Sequence, residues 1–519
     1  MRPVKLIKPM VILDIIGFLR YCDIVIISDD YLKNNGMSLA RKFAYNSFVQ
    51  IVGKSLSIFL GLLSVALIAR YLGVSGFGRY TVLTNFLGIF AVLADLGLTM
   101  VTAQLINERP TERSRILNNL FGFRLFTASL IILSGLLIAG LLPYYRALWS
   151  ILLVLSLSYF FIALNQVLVG LLQSELKTDY LMIAEVAGRL FWLFGLLISQ
   201  RFGWGLLGVA VATGLSGLIN FGLAWYWAGK VIKIKLAYDP VIWRDIAQRS
   251  WPLAVTIILN LLYLRADILL LNWFQGESVV GLYGAAYKVI DVLTSLPFLI
   301  VGLLLPLLTR AWANRQQQYF NSLIDSALSV LLMAVLPIII GGQLLSGPII
   351  NLIAGSEFAA AGPILALLLL AIAGIFISCL FNHILIAINR QKIMVWPYLA
   401  VAVTAVPAYL ILIERFSYWG AAAVTVYSEL LIAWLAAYKS KKLINWRWPW
   451  SITYKVVIAN LLMAVIIWPL RHWAGQGSIQ LLIIIGLAAL IYGLSLLILK
   501  AFDWRRWLTI LRPSVDRLK

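Results

Sequence analysis

The chain has 519 residues, of which 62% are hydrophobic and only 12% are charged, and its mean hydropathy is +0.94. This composition excludes a water-soluble globular protein, because such a chain must treat lipid as its main solvent. The net charge of +21 is attributed mainly to membrane topology and not to nucleic acid binding, since the cations lie mostly in short loops between apolar segments.

Fourteen apolar segments are long enough to cross a bilayer as helices, since about 20 helical residues span its hydrocarbon core. They lie at 43–70, 80–102, 118–141, 147–173, 179–199, 205–229, 250–274, 281–309, 321–345, 361–389, 393–413, 417–438, 453–473 and 478–500. We therefore predict an all-α polytopic membrane protein. The preceding segment, 1–42, is expected to be cytoplasmic or to lie at the membrane surface, because Asp14, Arg20 and Asp23 interrupt its apolar stretch.

The loops indicate the orientation of the chain. With a cytoplasmic N-terminus, the inside loops hold about seventeen Lys and Arg residues and the outside loops about six. Both termini are therefore predicted to be cytoplasmic. The protein itself is expected to lie in the inner (plasma) membrane of a cell. The sequence has no P-loop, zinc-ligand cluster or Gly-x-Ser-x-Gly motif, so neither an enzyme nor a cofactor is expected.

The two halves of the chain align with each other. Segment 71–80 matches 274–283, and the coinciding pairs are Gly73 and Gly276, Ser75 and Ser278, Gly78 and Gly281, and Tyr80 and Tyr283. Each match pairs a helix with the sixth helix after it, so the two halves have the same orientation, as in transporters with a central cavity. The predicted parts are an N-lobe at 43–229, a cytoplasmic linker at 230–249, a C-lobe at 250–438, an added helix pair at 439–500 and a basic cytoplasmic tail at 501–519.

Several ionisable residues lie within the predicted spans, where each should have a partner or face water. Glu185 and Arg189, four residues apart, are expected to neutralise each other within one helix. Lys288 and Asp291, three residues apart, are expected to do the same. Asp95 is expected to pair with Arg124 from the next span.

Lys54 and Arg265 have no partner of this kind and are expected to face a cavity. Polar residues recur at helical spacing in the first and seventh spans, which gives each span one polar face. These residues are Asn46, Gln50, Lys54, Ser57, Gly61 and Ser64 in the first span, and Thr256, Asn260, Tyr263 and Asp267 in the seventh. We expect both faces to line the cavity.

The segments around the repeat junctions resemble a known family. Segment 69–80, followed by 94–97, looks like the opening of bacterial polysaccharide-unit flippases of the Wzx type, and 264–267 and 280–288 are similar to that family's seventh and eighth helices. The family shares a superfamily with multidrug and toxin extrusion antiporters and the lipid II flippase. The resemblance implies alternating access and a polyprenyl-diphosphate-linked oligosaccharide as the substrate, for O-antigen, capsule or exopolysaccharide. The implied partners are this lipid, membrane lipids and a polysaccharide polymerase or other assembly protein, with no nucleic acid.

A diphosphate would be attracted strongly to cationic side chains in a cavity of low dielectric constant. The candidate cavity residues are Lys54, Arg124, Asn260, Arg265, Asp267 and Lys288. The candidates for ion coupling or gating are Asp95, Asp291 and Glu429. Three alternatives stay open: a drug or cation antiporter, which would rely more on acidic groups; a lipid II flippase; and a polysaccharide polymerase or ligase, which the short outside loops disfavour.

Overall fold

The computed structural model describes residues 39–95, 98, 105, 110–175, 177–444 and 446–501, and these form helices and short connections. The helices are α1 (Leu39–Asp95), α2 (Arg113–Leu141), α3 (Trp149–Ser174), α4 (Thr178–Phe202), α5 (Gly205–Val231), α6 (Pro240–Gln275), α7 (Glu277–Ala313), α8 (Gln317–Ala354), α9 (Ala361–Ala387), α10 (Val395–Lys441), α11 (Trp450–Ala474) and α12 (Ser478–Ile498). Short helical turns lie at Pro110–Glu112, Pro143–Arg146, Ser356–Phe358 and Gln391–Met394. The predicted all-α class is confirmed.

Two of the helices are long and bent. The chain turns inside α1 at Gly73 (φ 65°, ψ −176°) and inside α10 at Ser417 (φ 52°, ψ −135°). Each bent helix covers two predicted spans, so the twelve helices correspond to the fourteen predicted spans. In the described part of the chain, eleven helices are long and apolar enough to cross a membrane. Helix α6 is not among the eleven but covers the predicted seventh span.

The backbone supports the aligned repeat. Gly276, between α6 and α7, has φ 82° and ψ 178°, close to the values at its aligned partner Gly73. A Cβ atom at Gly78 would lie 1.8 Å from the carbonyl oxygen of Glu277, and one at Gly281 would lie 2.0 Å from that of Val74. The absent side chains therefore let α1 and α7 approach each other reciprocally, as the equivalent elements of a repeat would.

Helix α6 begins earlier than predicted. It starts at Pro240, and the Asp239 side chain caps it by accepting hydrogen bonds from two backbone N–H groups of the first turn. Arg115 also donates a 2.6 Å hydrogen bond to Asp239 and holds the pKa of that carboxyl below its usual range. The connection between α5 and α6 is therefore 232–239, and the second half of the predicted linker at 230–249 is helical.

The remaining helices extend this bundle. Helices α11 and α12 pack against each other and against α8, where Met463, Ile484 and Leu345 share one apolar core. The main apolar core joins α1 to α7, α9 and α10. Residues 1–38 and 502–519, which hold most of the predicted N-terminal segment and basic tail, lie outside the described residues.

Candidate functional site

A cavity of about 610 Å³ lies between α1, α3, α4 and α5, with Lys288 and Leu299 of α7 also in its wall. It follows α3 from Gln173 to Ser158, a distance of about 22 Å at 1.5 Å per helical residue. Its polar and aromatic lining includes Gln50, Lys54, Tyr80, Ser158, Tyr159, Asn165, Gln166, Gln173, Glu185, Arg189, Trp192, Thr213, Asn220 and Lys288. A cavity that brings many polar side chains together inside an apolar bundle is a candidate site for a polar substrate.

The two halves of the chain meet in a charged cluster that includes Arg79, the neighbour in sequence of the cavity residue Tyr80. Arg79 of α1 donates hydrogen bonds of 2.9 Å from both Nε and Nη2 to the carboxylate of Glu277, the first residue of α7. The Tyr144 hydroxyl donates a hydrogen bond of 3.0 Å to the same carboxylate. We call Arg79, Tyr144 and Glu277 the latch. It joins the two halves of the bundle next to the close contact at Gly78.

Lys54 lies in the cavity wall as predicted, but it is paired. Its Nζ lies 2.9 Å from Oε1 of Glu185 in α4, and the Ser57 hydroxyl donates a 2.7 Å hydrogen bond to the same oxygen. The predicted pairing of Glu185 with Arg189 is therefore wrong. The carboxylate faces α1 across the helix interface, where it finds both a cation and a hydroxyl donor.

Arg189 is the charged residue of the described cavity wall that was expected to be neutralised within its own helix and not to face the cavity. Its guanidinium lies over the ring of Trp192, 5.4 Å from the ring centroid, in a cation–π contact. Within the described residues it makes no ion pair and donates no hydrogen bond. The i,i+4 spacing after Glu185 suggested a neutralised pair, so no signal in the sequence marked Arg189 as a cation available to a ligand.

Lys288 and Asp291 form the pair predicted for them, with Nζ 3.4 Å from Oδ2. Arg265 is not in the cavity wall. Its Nη2 lies 3.8 Å from Oδ1 of Asp291, and its Nη1 donates a 3.2 Å hydrogen bond to Asn85. Asp291, a candidate for ion coupling, thus lies between two cations, of which Lys288 reaches the cavity.

Arg124 and Asp95 pair as predicted, with Nη2 2.8 Å from Oδ1. Arg124 is only 1% exposed and also donates hydrogen bonds to the backbone carbonyls of Ala94 and Ala163. The expectation that Arg124 lines the cavity is therefore wrong, because the pairing draws its side chain into the packing between α1, α2 and α3.

Replacing Arg124 by Met is expected to destabilise the fold by about 3–5 kcal/mol, because it removes a buried cation that bonds to the Asp95 carboxylate and to two backbone carbonyls. The amount of folded protein in membranes and its thermal midpoint in detergent should both fall. Arg124→Lys, which keeps the charge but not the three-way contact, should give an intermediate midpoint. An unchanged thermal midpoint together with lost transport would contradict this structural role and would indicate that Arg124 contacts the substrate.

The other two buried acids lie away from the cavity. Asp267, expected in the cavity, is 0% exposed and accepts a 2.7 Å hydrogen bond from the Tyr283 hydroxyl. Tyr283 also contacts Thr425, which closes the polar cluster around that carboxyl. Glu429 is 4% exposed, and within the described residues it has no hydrogen bond or ion pair. The side chain of Asn260 lies outside the described part of the chain.

Uncharged amides occupy much of the remaining wall. Gln50, Gln166 and Gln173 have no hydrogen-bond partner among the described residues, and Asn165 donates a 3.4 Å hydrogen bond to Asn220. Amide groups both donate and accept, as sugar hydroxyls do. The cavity thus combines cations, which suit a phosphate, with an amide wall, which suits a hydroxyl-rich group.

Comparisons with known proteins show which family the chain is similar to. The profile of the family described as "Polysaccharide biosynthesis protein" matches residues 43–312, just over half of the chain, and that of "Lipid II flippase MurJ" matches residues 290–487. The "Probable low-salt glycan biosynthesis flippase Agl15" of Haloferax volcanii is 26% identical over 468 residues, covering 88% of this chain and 95% of that protein.

Two further proteins are similar over most of their length. The "Succinoglycan biosynthesis transport protein ExoT" of Rhizobium meliloti is 23% identical over 507 residues, covering 92% of this chain and 97% of that protein. Among solved structures, the lipid II flippase MurJ in an inward closed conformation matches with a TM-score of 0.71 and 17% identity, covering 89% of this chain and 100% of that one. The structural match shows a shared fold.

Proposed function

Because the chain belongs to the polysaccharide biosynthesis protein family, we propose that it is a flippase for polyprenyl-diphosphate-linked oligosaccharide units. The chain is a multi-pass membrane transporter and not an enzyme. The names of its relatives, a glycan biosynthesis flippase and a succinoglycan transport protein, support a lipid-linked glycan as the cargo.

The observation that carries this proposal is a cation that forms no ion pair among the described residues and lies in the wall of a cavity within the membrane. Arg189 makes no ion pair within the described part of the chain, because the nearby Glu185 carboxylate is bound to Lys54 and interacts with Arg189 only at longer range. Lys54 and Lys288 lie in the same cavity wall. A diphosphate is a strong acceptor for such groups, and charge-assisted hydrogen bonds gain strength where water is excluded. The headgroup would occupy the cavity while the polyprenyl chain stays in lipid.

The proposed mechanism is alternating access, in which the two halves of the bundle that the latch joins open towards one side of the membrane at a time. In the proposed orientation, with both termini cytoplasmic, the latch lies at the outer end of the bundle and Gln173 lies at the inner end. The state described here would therefore admit substrate from the cytoplasm. Translocation requires the latch to open while the inner ends of the two halves close, so that the headgroup is released outside.

The proposed setting follows from this direction of transport. The protein would lie in the inner membrane and supply oligosaccharide units for a cell-surface polysaccharide such as O-antigen, capsule or exopolysaccharide. A polysaccharide polymerase or another assembly protein would consume the units on the outer side. This consumption keeps the outer concentration low, so transport can proceed down a substrate gradient, with or without a coupled ion.

Lipid II is the second candidate substrate, because the MurJ profile matches residues 290–487 and the MurJ structure covers most of the chain. Complementation separates the two. We expect the chain to restore surface polysaccharide in a strain lacking its oligosaccharide-unit flippase and not to restore growth in a strain depleted of its lipid II flippase. The reverse pattern would assign lipid II, and drug resistance without either rescue would indicate an antiporter.

A further inference from the structure

The charges in the cavity wall set a limit on the charge of the cargo. Lys54, Arg189 and Lys288 face the single carboxylate of Glu185, so the described lining carries a net charge of +2. Arg265 and Asp291, just outside the wall, add one charge of each sign and leave this balance unchanged. In a diphosphate diester each of the two phosphates keeps one ionised oxygen, so its charge cancels that of the lining.

The rest of the wall offers no charge to a second anion. Apart from the four charged residues, the described polar lining consists of amides, hydroxyls and the indole of Trp192. The amides of Gln50, Gln166 and Gln173 have no hydrogen-bond partner in the part of the chain that the structure describes, so they can donate to and accept from sugar hydroxyls. A carboxylate only accepts, and it would lose its hydration without gaining a cation.

We propose that the oligosaccharide carried in this cavity is uncharged, with no uronic acid or other acidic sugar in the part that the cavity encloses. The proposal rests on the flippase function proposed above and narrows its substrate class. The diphosphate takes the whole positive excess, and neutral sugar rings lie along the amides of α1 and α3. A cavity of about 610 Å³ is in the range of about 300–1,000 Å³ that encloses small ligands, so the enclosed part is a few sugar rings.

The test is binding of the purified full-length protein in nanodiscs to three synthetic probes. The first is a short-chain polyprenyl diphosphate carrying a neutral trisaccharide, the second replaces one hexose by a hexuronic acid, and the third carries no glycan. The neutral probe should bind at least tenfold more tightly than the acidic one. Gln166→Lys, which adds a cation to the wall, should reduce this ratio, whereas Gln200→Lys, on α4 and outside the cavity wall, should leave it unchanged.

The outcomes are separable. Equal or tighter binding of the acidic probe would overturn the inference and leave the flippase proposal standing. A preference that Gln166→Lys does not alter would place the discrimination outside this cavity and would also overturn the inference. If neither glycan probe bound better than the glycan-free diphosphate, the flippase proposal and the inference would both fail.

Discussion

Replacing Arg189 by Ala is expected to lower transport at least tenfold while leaving the amount of protein in the membrane unchanged. Arg189 contacts Trp192 and makes no ion pair among the described residues. Its removal leaves no buried carboxylate unpaired, because Glu185 keeps Lys54 and Ser57 as partners. Hydrogen bonds to charged groups are worth about 1.5–3 kcal/mol, which corresponds to a factor of about 10–150 in binding. The measurement is surface polysaccharide per unit of membrane protein in the complemented strain.

Two variants control this result. Arg189→Lys keeps the charge but loses the planar donor geometry, and it should retain partial transport. Arg201→Ala removes a cation from the exposed end of the same helix, outside the cavity wall, and it should transport like the unaltered protein. Full transport by Arg189→Ala would contradict the proposal that cations in the cavity wall bind the substrate.

Reversing one charge of the latch is expected to abolish most transport, and exchanging both charges is expected to restore part of it. Arg79→Glu faces the Glu277 carboxylate with a second acid, and Glu277→Arg faces Arg79 with a second cation, so either variant forces the two halves apart. The double exchange re-forms an ion pair across the same contact. Recovery should be partial, because the hydrogen bond from Tyr144 to the carboxylate is not restored.

The latch variants also have a structural readout. In the single variants, a cysteine introduced at Thr84 in the cavity wall should react with a membrane-impermeant thiol reagent added from outside, because the closed end is weakened. The double variant should react more slowly. Single variants that transport normally, or a double variant no better than either single one, would contradict the role given to the latch.

The fold could be predicted because lipid leaves a chain few choices. A span needs a continuous apolar length, so each of the fourteen predicted segments is helical over most of its described length, including the two merged in α1 and the two merged in α10. The glycine pairs of the repeat were recognisable for a similar reason. Gly78 and Gly281 occupy contacts that a side chain would block, and Gly73 and Gly276 have positive φ, so the amino acid itself marks the geometry.

The candidate site was harder to predict, because helical spacing reports neighbours within one helix only. Lys288 and Asp291 satisfy that rule. Lys54 and Glu185 are 131 residues apart, and no pattern in either helix indicates that they meet. Because Glu185 pairs with Lys54, Arg189 does not form the ion pair with Glu185 that their i,i+4 spacing suggested. The start of α6 was a different error, since Asp239 followed by Pro240 is a recognisable helix start within a segment predicted to be a linker.

The paired cations still suit a transport site. An unpaired ammonium inside a membrane protein is costly, and Glu185 and Asp291 reduce this cost for Lys54 and Lys288 when no substrate is present. A diphosphate can then compete with each carboxylate for its lysine. In the proposed mechanism, Arg189 would make the first contact with the diphosphate, and the two lysines would exchange their carboxylate partners for it as the headgroup enters.

The most direct test is translocation by the purified protein in liposomes that contain a fluorescent polyprenyl-diphosphate-linked neutral oligosaccharide. The fraction of headgroups accessible to an external glycosidase should rise from about half, the value for a symmetric bilayer, towards completion with the unaltered protein and much more slowly with Arg189→Ala. Accessibility that stays at the protein-free level, or that rises equally with both proteins, would contradict transport through this cavity.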